Sequence, residues 1–385
     1  MKHSTDRILT THVGSLVRPP EIVAITRGRE QGKPFSEAEL ATLRTAIAEN
    51  VKQQAETGID IPSDGEYGKS SFANYITDRL SGFELRPNEL GLGGSVRGRD
   101  RKRFADAYFE IDGPPGAGNA AAVCTSPIEY RGQAFVQADI DNFVAAKQGL
   151  DFAEAFIPAV GPGTIELQRK NEYYKTQEEY LYAIATAMRT EYRMITDAGF
   201  ILQIDDPRIM TEWDSSDPQP AVEDYQKFAQ LRVEATNHAL EGIDESMIRY
   251  HVCWGSWHGP HTTDIELKNI ADVILGIKAG AFSIEAANPR HAHEYHYWED
   301  HKFPEGKIII PGVISHNVNG VEHPELVADR LLTYARLVGR ENVVAGADCG
   351  FAQNAPTQRV HPSIMWEKFR MLAEGSRIAS KQLWG

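Results

Sequence analysis

The chain has 385 residues, 42% of them hydrophobic, enough to bury the core of one large α/β domain. Its 40 basic side chains against 54 acidic ones leave a formal charge of -14, which repels a phosphate backbone and excludes nucleic acid as the expected partner. Three cysteines, Cys124, Cys253 and Cys349, are too few for a disulfide framework and suit thiolate chemistry or metal binding in a reducing compartment.

The amino end, Met1 to Thr11, has no apolar core of a signal peptide, and no long apolar span follows. A soluble cytoplasmic protein with no membrane partner is expected. From there, short β-rich runs alternate with amphipathic segments. The runs are Ile8 to Ser15, Ile59 to Glu66, Ala155 to Gly161, Ile201 to Asp206, Met247 to Trp254, Ala281 to Ala287, Lys307 to Ile314 and Asn342 to Cys349. Helices are expected at Ser36 to Glu56, Thr176 to Ala198, Val222 to Leu240, Asp264 to Ile277 and Pro324 to Val338. The last opens on Pro324, aligns Val327, Leu331, Tyr334 and Val338 on one face, and stops at Gly339.

Eight βα units predict a closed (β/α)8 barrel spanning residues 1–385 as a single catalytic domain. An open doubly wound sheet is disfavoured because Val13-Gly14-Ser15, not a G-x-G-x-x-G turn, follows the first strand. Residues 83–137, rich in Gly, Arg and Pro, are too long for a βα crossover and read as an insertion after the second βα unit. A hairpin around Lys102 to Ile111 is expected there, capping the barrel mouth or mediating homo-oligomer assembly. The basic run Arg97 to Arg103 reads as a solvated loop, or as a grip on an anionic substrate or a second subunit.

In Arg249-Tyr250-His251-Val252-Cys253-Trp254 a strand ends in His-x-Cys, which puts both side chains on one side at period two. The run Phe282-Ser283-Ile284-Glu285 ends on a carboxylate, and Ala347-Asp348-Cys349-Gly350 on a thiol. In a barrel the carboxyl ends of all strands converge. His251, Cys253, Glu285 and Cys349 then form a borderline-soft tetrahedral set that suits Zn2+ rather than Mg2+ or Ca2+. Taken singly, each reads rather as a buried structural residue; only the set of four points to a metal. His258, His261 and the run His291-Ala292-His293-Glu294-Tyr295-His296 read as a polar rim.

With Thr11-His12-Val13-Gly14-Ser15, Gly65-Glu66, Gly161-Pro162-Gly163-Thr164-Ile165, Gln203-Ile204-Asp205-Asp206-Pro207 and Asp348-Cys349-Gly350, the sequence resembles the carboxyl-terminal catalytic barrel of cobalamin-independent methionine synthase. The likeness runs through most of the chain outside the insertion. It implies zinc on His251, Cys253, Glu285 and Cys349, and thiol-substrate recognition by Ser15, Glu66 and Asp205. His316, in Ile314-Ser315-His316-Asn317, resembles the family's acid, with local spacing different by about one residue. The full-length synthase carries a further amino-terminal barrel, and this sequence reads as a single-barrel relative. Gln168 stands where the family's folate-stacking Trp is expected, so a pterin donor is not implied.

The resemblance leaves three readings open. Methyl transfer to homocysteine, giving methionine, is the first. The second is epoxide opening by a zinc-bound thiolate, as in the related epoxyalkane:coenzyme M transferase, a carbon-sulfur lyase. The third is a non-catalytic zinc-binding barrel. Glu66 and Asp205 favour an amino-acid thiol, whose ammonium they match, over coenzyme M, whose sulfonate would want Arg or Lys. Their alternative role is structural pairing with residues such as Arg208 or Lys69.

Overall fold

The structure is a computed structural model describing residues 1–30, 35–90, 98–112, 120–356 and 358–385; Arg97 of the basic run lies outside them. The strands are β1 (Leu9–Thr10), β2 (Phe83–Leu90), β3 (Ala120–Cys124), β4 (Phe156–Val160), β5 (Lys170–Asn171), β6 (Ile201–Asp205), β7 (Ile248–Val252), β8 (Ala281–Glu285), β9 (Ile308–Ile314) and β10 (Val344–Ala347). Seven form one parallel sheet in the order β1-β10-β9-β8-β7-β6-β4. The gap between β1 and β4 is filled by the expected second strand. Thr11 bridges Ile61 in parallel, the Asp60 and Ile61 amides donate to Thr10 O, and the Phe156 amide donates to Pro62 O. That segment is too short for a regular strand because Pro62 has no N–H and Gly65 and Glu66 turn away at φ 73° and 58°. With it the sheet closes into the expected (β/α)8 barrel.

Helices Glu37–Glu56, Gln177–Asp197, Val222–Ala239 and Pro324–Val338 agree with the sequence pattern to within a residue at either end. Ser36 caps the first through a reciprocal bond pair with Glu39. The expected helix over Asp264 to Ile277 is broken into a 3-10 turn, Leu267–Asn269, and one α turn, Ala271–Ile274. Two contacts explain the break: Asp264 is taken by two imidazoles, and the Leu267 amide donates to Glu294 rather than starting a ladder.

The hairpin expected at Lys102 to Ile111 is not formed. Arg99–Arg103 and Ala105–Asp112 are helical there, and the antiparallel pair in the insertion is β2 with β3, which β5 extends in parallel. The spacing of Ala105, Tyr108 and Phe109 suits a helix instead.

Inside the barrel, Leu9, Ile61, Phe156, Ile201, Ala281, Ile308, Ile310 and Val344 form an apolar plug separate from the larger core beneath the helices. Over the plug lies Arg249, fully buried, its guanidinium 3.4 Å from the Phe156 ring centroid. It donates to Gln203 Oε1 at 2.6 Å, to Thr11 Oγ1 at 2.9 Å and to His12 O. Gln203 in turn donates to Asp205 Oδ1 at 2.7 Å. A buried cation thus fixes the carboxyl end of β6 from below. Replacing Arg249 with Met strips these acceptors of a charged donor without restoring water. We expect a loss of about 3 kcal/mol or more in unfolding free energy by urea titration; a loss under about 1 kcal/mol contradicts this role for Arg249.

Candidate metal and substrate site

His251 on β7 and Cys253 just past it point into the carboxyl mouth of the barrel, where Cys349 arrives two residues after β10. Their ligand atoms lie within 4.8 Å of one another, all buried, and the two sulfurs are 3.5 Å apart. Ser283 Oγ on β8 holds His251 Nδ1 at 3.1 Å, while Nε2 is buried without a partner. One ring nitrogen is thereby oriented and the other left vacant, the usual arrangement of a metal-ligating imidazole. The Cys253 thiol is pushed up by sharing its proton with Cys349 and by burial. Cys349 is correspondingly held well below the usual thiol range, chiefly by Cys253, with His251 adding to the effect.

Glu285, the fourth expected ligand, groups instead with His316 and Asp348, again within 4.8 Å. Its Oε2 accepts from the Trp254 amide at 3.1 Å and its Oε1 from Asn288 at 3.1 Å, so it stands beside Cys253 yet is turned toward these donors. Both ring nitrogens of His316 are buried and unpartnered, and burial pushes its pKa down to about 4. Two residues not foreseen belong here. Asp348 accepts from the Ala286 and Ala287 amides at 2.8 and 2.7 Å, tying the end of β10 to that of β8. Ser256 Oγ donates to Cys349 Sγ at 2.9 Å. Adjacency to Cys349 was a usable signal for Asp348; Ser256 offered none.

Ser15, Glu66 and Asp205 line the same mouth and are buried. The Ser15 carbonyl accepts from Phe351 N at 2.8 Å, and a Cβ on Gly350 would come within 2.0 Å of Ser15 Oγ. Glu66 sits at φ 58°, a left-handed conformation costing about 1–3 kcal/mol in a non-glycine residue. Its Oε2 is buried without a hydrogen bond, and burial pushes the carboxyl up against the opposing charges of Lys69 and Arg18. Asp205 is pushed up to about 8 by burial, with His251 opposing and Glu66 reinforcing the shift. Among the described residues neither carboxylate makes an ion pair. Arg208 is bound by Glu212, and Lys69 Nζ donates to Pro158 O at 2.5 Å.

Among the histidines read as a polar rim, His258, His293 and His296 are exposed, but His261 and His291 are buried. Both ring systems converge on Asp264 Oδ2, at 2.8 Å from His261 Nδ1 and 2.9 Å from His291 Nε2. His291 also stacks on Trp254, centroid to centroid 3.7 Å. The correction follows from the broken helix after β7, which turns this loop inward.

A closed barrel whose carboxyl mouth gathers an imidazole, two thiols and several unpaired carboxylates defines a barrel enzyme with a soft-metal donor set. The chain belongs to the cobalamin-independent synthase family, residues 158–367 matching its catalytic domain. It is similar to the methionine synthase of Thermococcus kodakarensis, 26% identical over 375 residues that cover 97% of this chain and 94% of the relative. To that of Saccharolobus solfataricus it is 24% identical over 377 residues, covering 97% and 95%. A B12-independent methionine synthase structure from Shewanella sp. W3-18-1 superimposes with a TM-score of 0.74 at 18% identity, covering 98% of this chain and 99% of that one, which supports the barrel fold. Among the described residues no helix is long and apolar enough to cross a membrane.

The His291 network also makes a pH prediction. Burial acts to lower this imidazole, but the Asp264 bond and the Glu294 interactions outweigh it and carry the pKa from 6.5 to about 9. A raised folded-state pKa contributes stability that is complete below 6.5 and lost as pH rises through about 9. The stability advantage of wild type over His291→Gln should therefore shrink between these limits in denaturant titrations; an advantage growing with pH contradicts the assignment.

Proposed function

We propose that this protein methylates the thiol of homocysteine, forming methionine, with Zn2+ held by His251, Cys253, Cys349 and Glu285. The observation that carries the reading is the convergence of three buried soft ligand atoms, with His251 Nε2 unpartnered, beside the buried carboxyls of Glu66 and Asp205. The methionine synthases that the chain matches along nearly their whole length point the same way. The donor chemistry fits zinc: one nitrogen and two sulfurs, with a carboxylate one hydrogen-bond shift away.

When bound, zinc would lower the pKa of a substrate thiol, ordinarily near 8.5, so that sulfur reacts as its anion at neutral pH. The protein's own groups supply the rest. Glu66 and Asp205 receive the substrate ammonium through charge-assisted hydrogen bonds. Ser15 Oγ, next to Gly350, orients the amino-acid end. Glu285 would complete the metal's donor set, and the Trp254 amide and Asn288 that it already accepts from would hold it when a substrate sulfur took that place. His316, with both ring nitrogens unpartnered, is the group that would pass a proton to the atom that leaves the methyl group, and because burial holds it neutral in the free protein it must gain that proton in the substrate complex. Gln168, half-buried at the end of the helix Pro162–Gln168, offers no ring to stack a pterin, which favours a non-folate methyl donor. A reducing cytoplasm is the compartment in which these thiols persist.

Coenzyme M fits less well, because its sulfonate would face Glu66 and Asp205. Zinc-loaded protein incubated with homocysteine or coenzyme M and a panel of methyl donors and epoxides should give methionine by mass spectrometry. Thioether from coenzyme M and an epoxide, or no product from any pair, overturns the reading. In the same assay Glu66→Gln should raise KM for homocysteine by about 10-fold or more, the cost of one charge-assisted contact. Cys349→Ala should lose stoichiometric zinc by elemental analysis, and full retention contradicts the ligand set.

A further inference from the structure

The helix Arg99–Arg103 and the first turns of Ala105–Asp112 lie against the loop 255–264, the segment that leaves β7 immediately after Cys253. The contact centres on Asp100, a carboxylate only 1% exposed. Its Oδ2 accepts from the His261 amide at 3.0 Å and from Tyr108 OH at 3.0 Å. Its Oδ1 accepts from the Thr262 amide at 3.0 Å and from Thr262 Oγ1 at 2.6 Å. Four donors on one buried carboxylate is a saturated arrangement, and three of them belong to the loop.

The loop needs holding. His261 sits at φ 56°, which a non-glycine residue adopts only when its surroundings impose it, and its amide is one that Asp100 binds. Tyr108 reaches the same loop through its hydroxyl, which accepts from Trp257 Nε1 at 2.9 Å, and Trp257 stacks on His261 at 4.7 Å. The other end of the loop carries Ser256, whose hydroxyl donates to Cys349 Sγ at 2.9 Å. The insertion is itself anchored: the Asp100 amide donates to Asp214 Oδ1, and a Cβ at Gly98 would come within 2.1 Å of Asp214 Oδ2. Asp214 lies on the helix Arg208–Ser215 that follows β6, the strand of Asp205. Arg99 adds bonds to Trp213 O and Thr263 O.

We propose that Asp100 is a positioning residue through which the insertion clamps the loop 255–264 over the thiol site and so sets Ser256 against Cys349. The insertion acts as a roof on the barrel mouth, and the geometry of one sulfur depends on a carboxylate from outside the barrel. A hydroxyl donating to a thiolate withdraws charge from it, so the clamp tunes how strongly Cys349 binds metal and how readily it reacts. The proposal rests on the thiol-site reading above, and its test separates the two.

The test uses full-length Asp100→Asn, which loses one acceptor oxygen, and Tyr108→Phe, which removes one of the four bonds and leaves the carboxylate. In metal-free protein, hydrogen exchange followed by mass spectrometry should show faster exchange of the 255–264 amides in Asp100→Asn, a smaller change in Tyr108→Phe, and none in the barrel strands. Iodoacetamide should label Cys349 at a rate changed in the same order. In the zinc-loaded enzyme kcat should fall by about 10-fold in Asp100→Asn with KM for homocysteine little changed, since Asp100 touches no substrate group. Unchanged loop exchange and unchanged Cys349 labelling in Asp100→Asn overturn the clamp. So does exchange raised equally throughout the chain, which marks a general stability residue. An inactive wild type with loop-specific exchange in Asp100→Asn overturns the methyl-transfer reading and leaves the clamp standing.

Discussion

Cys253 and Cys349 leave β7 and β10, strands with β8 and β9 between them, yet their sulfurs meet at 3.5 Å. The approach depends on closing the barrel and on what is missing along its inner wall. Gly312 on β9 pairs with Gly346 on β10 and with Glu285 on β8. A Cβ there would lie 2.4 Å from Asp348 Cα. Without that side chain the backbone after β10 leans across β9, Asp348 binds the amides after β8, and Cys349 swings toward Cys253. Soft-ligand geometry is therefore a consequence of backbone packing three strands wide.

The same crowding makes the mouth electrostatically costly. Glu66, Asp205, Glu285 and Asp348 are all buried, and burial raises each of their pKa values. Around Glu66 and Asp205, Lys69 and Arg18 offset part of this burial cost while donating to backbone carbonyls, Arg18 to Ala352 O and Glu66 O and Lys69 to Pro158 O. Burying this many carboxyls is costly, and in the proposed function a divalent cation at the thiols and an ammonium at Glu66 and Asp205 would offset that cost. The positive φ of Glu66 belongs to the same pattern, backbone strain retained where it aims a functional group.

Much of this was legible in the sequence, for physical reasons. Strand periodicity is a local signal, so seven of the eight runs were found as ladder strands and the eighth as a short bridged segment ending in Pro62 and Gly65. His251 and Cys253 were legible because period two fixes their common side, and Cys349 because barrel ends converge. The orientation of Glu285 was not, since it depends on a Trp254 amide and an Asn288 side chain whose placement is set by loops. The insertion was inferred from its length and its Gly, Arg and Pro content. Its helices were missed because their stability comes from Asp100 and Asp214, contacts more than 100 residues apart in sequence. His261 and His291 were misjudged as rim residues for the same reason: Asp264, which buries them, was assigned to a helix that does not form.

The central claim is that His251, Cys253 and Cys349 bind zinc so that a substrate sulfur can join them. X-ray absorption at the zinc edge of the loaded protein tests it most directly. The predicted coordination shell holds two sulfurs at about 2.3 Å with nitrogen and oxygen at about 2.0–2.2 Å, rising to three sulfurs on adding homocysteine. A shell with fewer than two sulfurs, or one that homocysteine leaves unchanged, would contradict it.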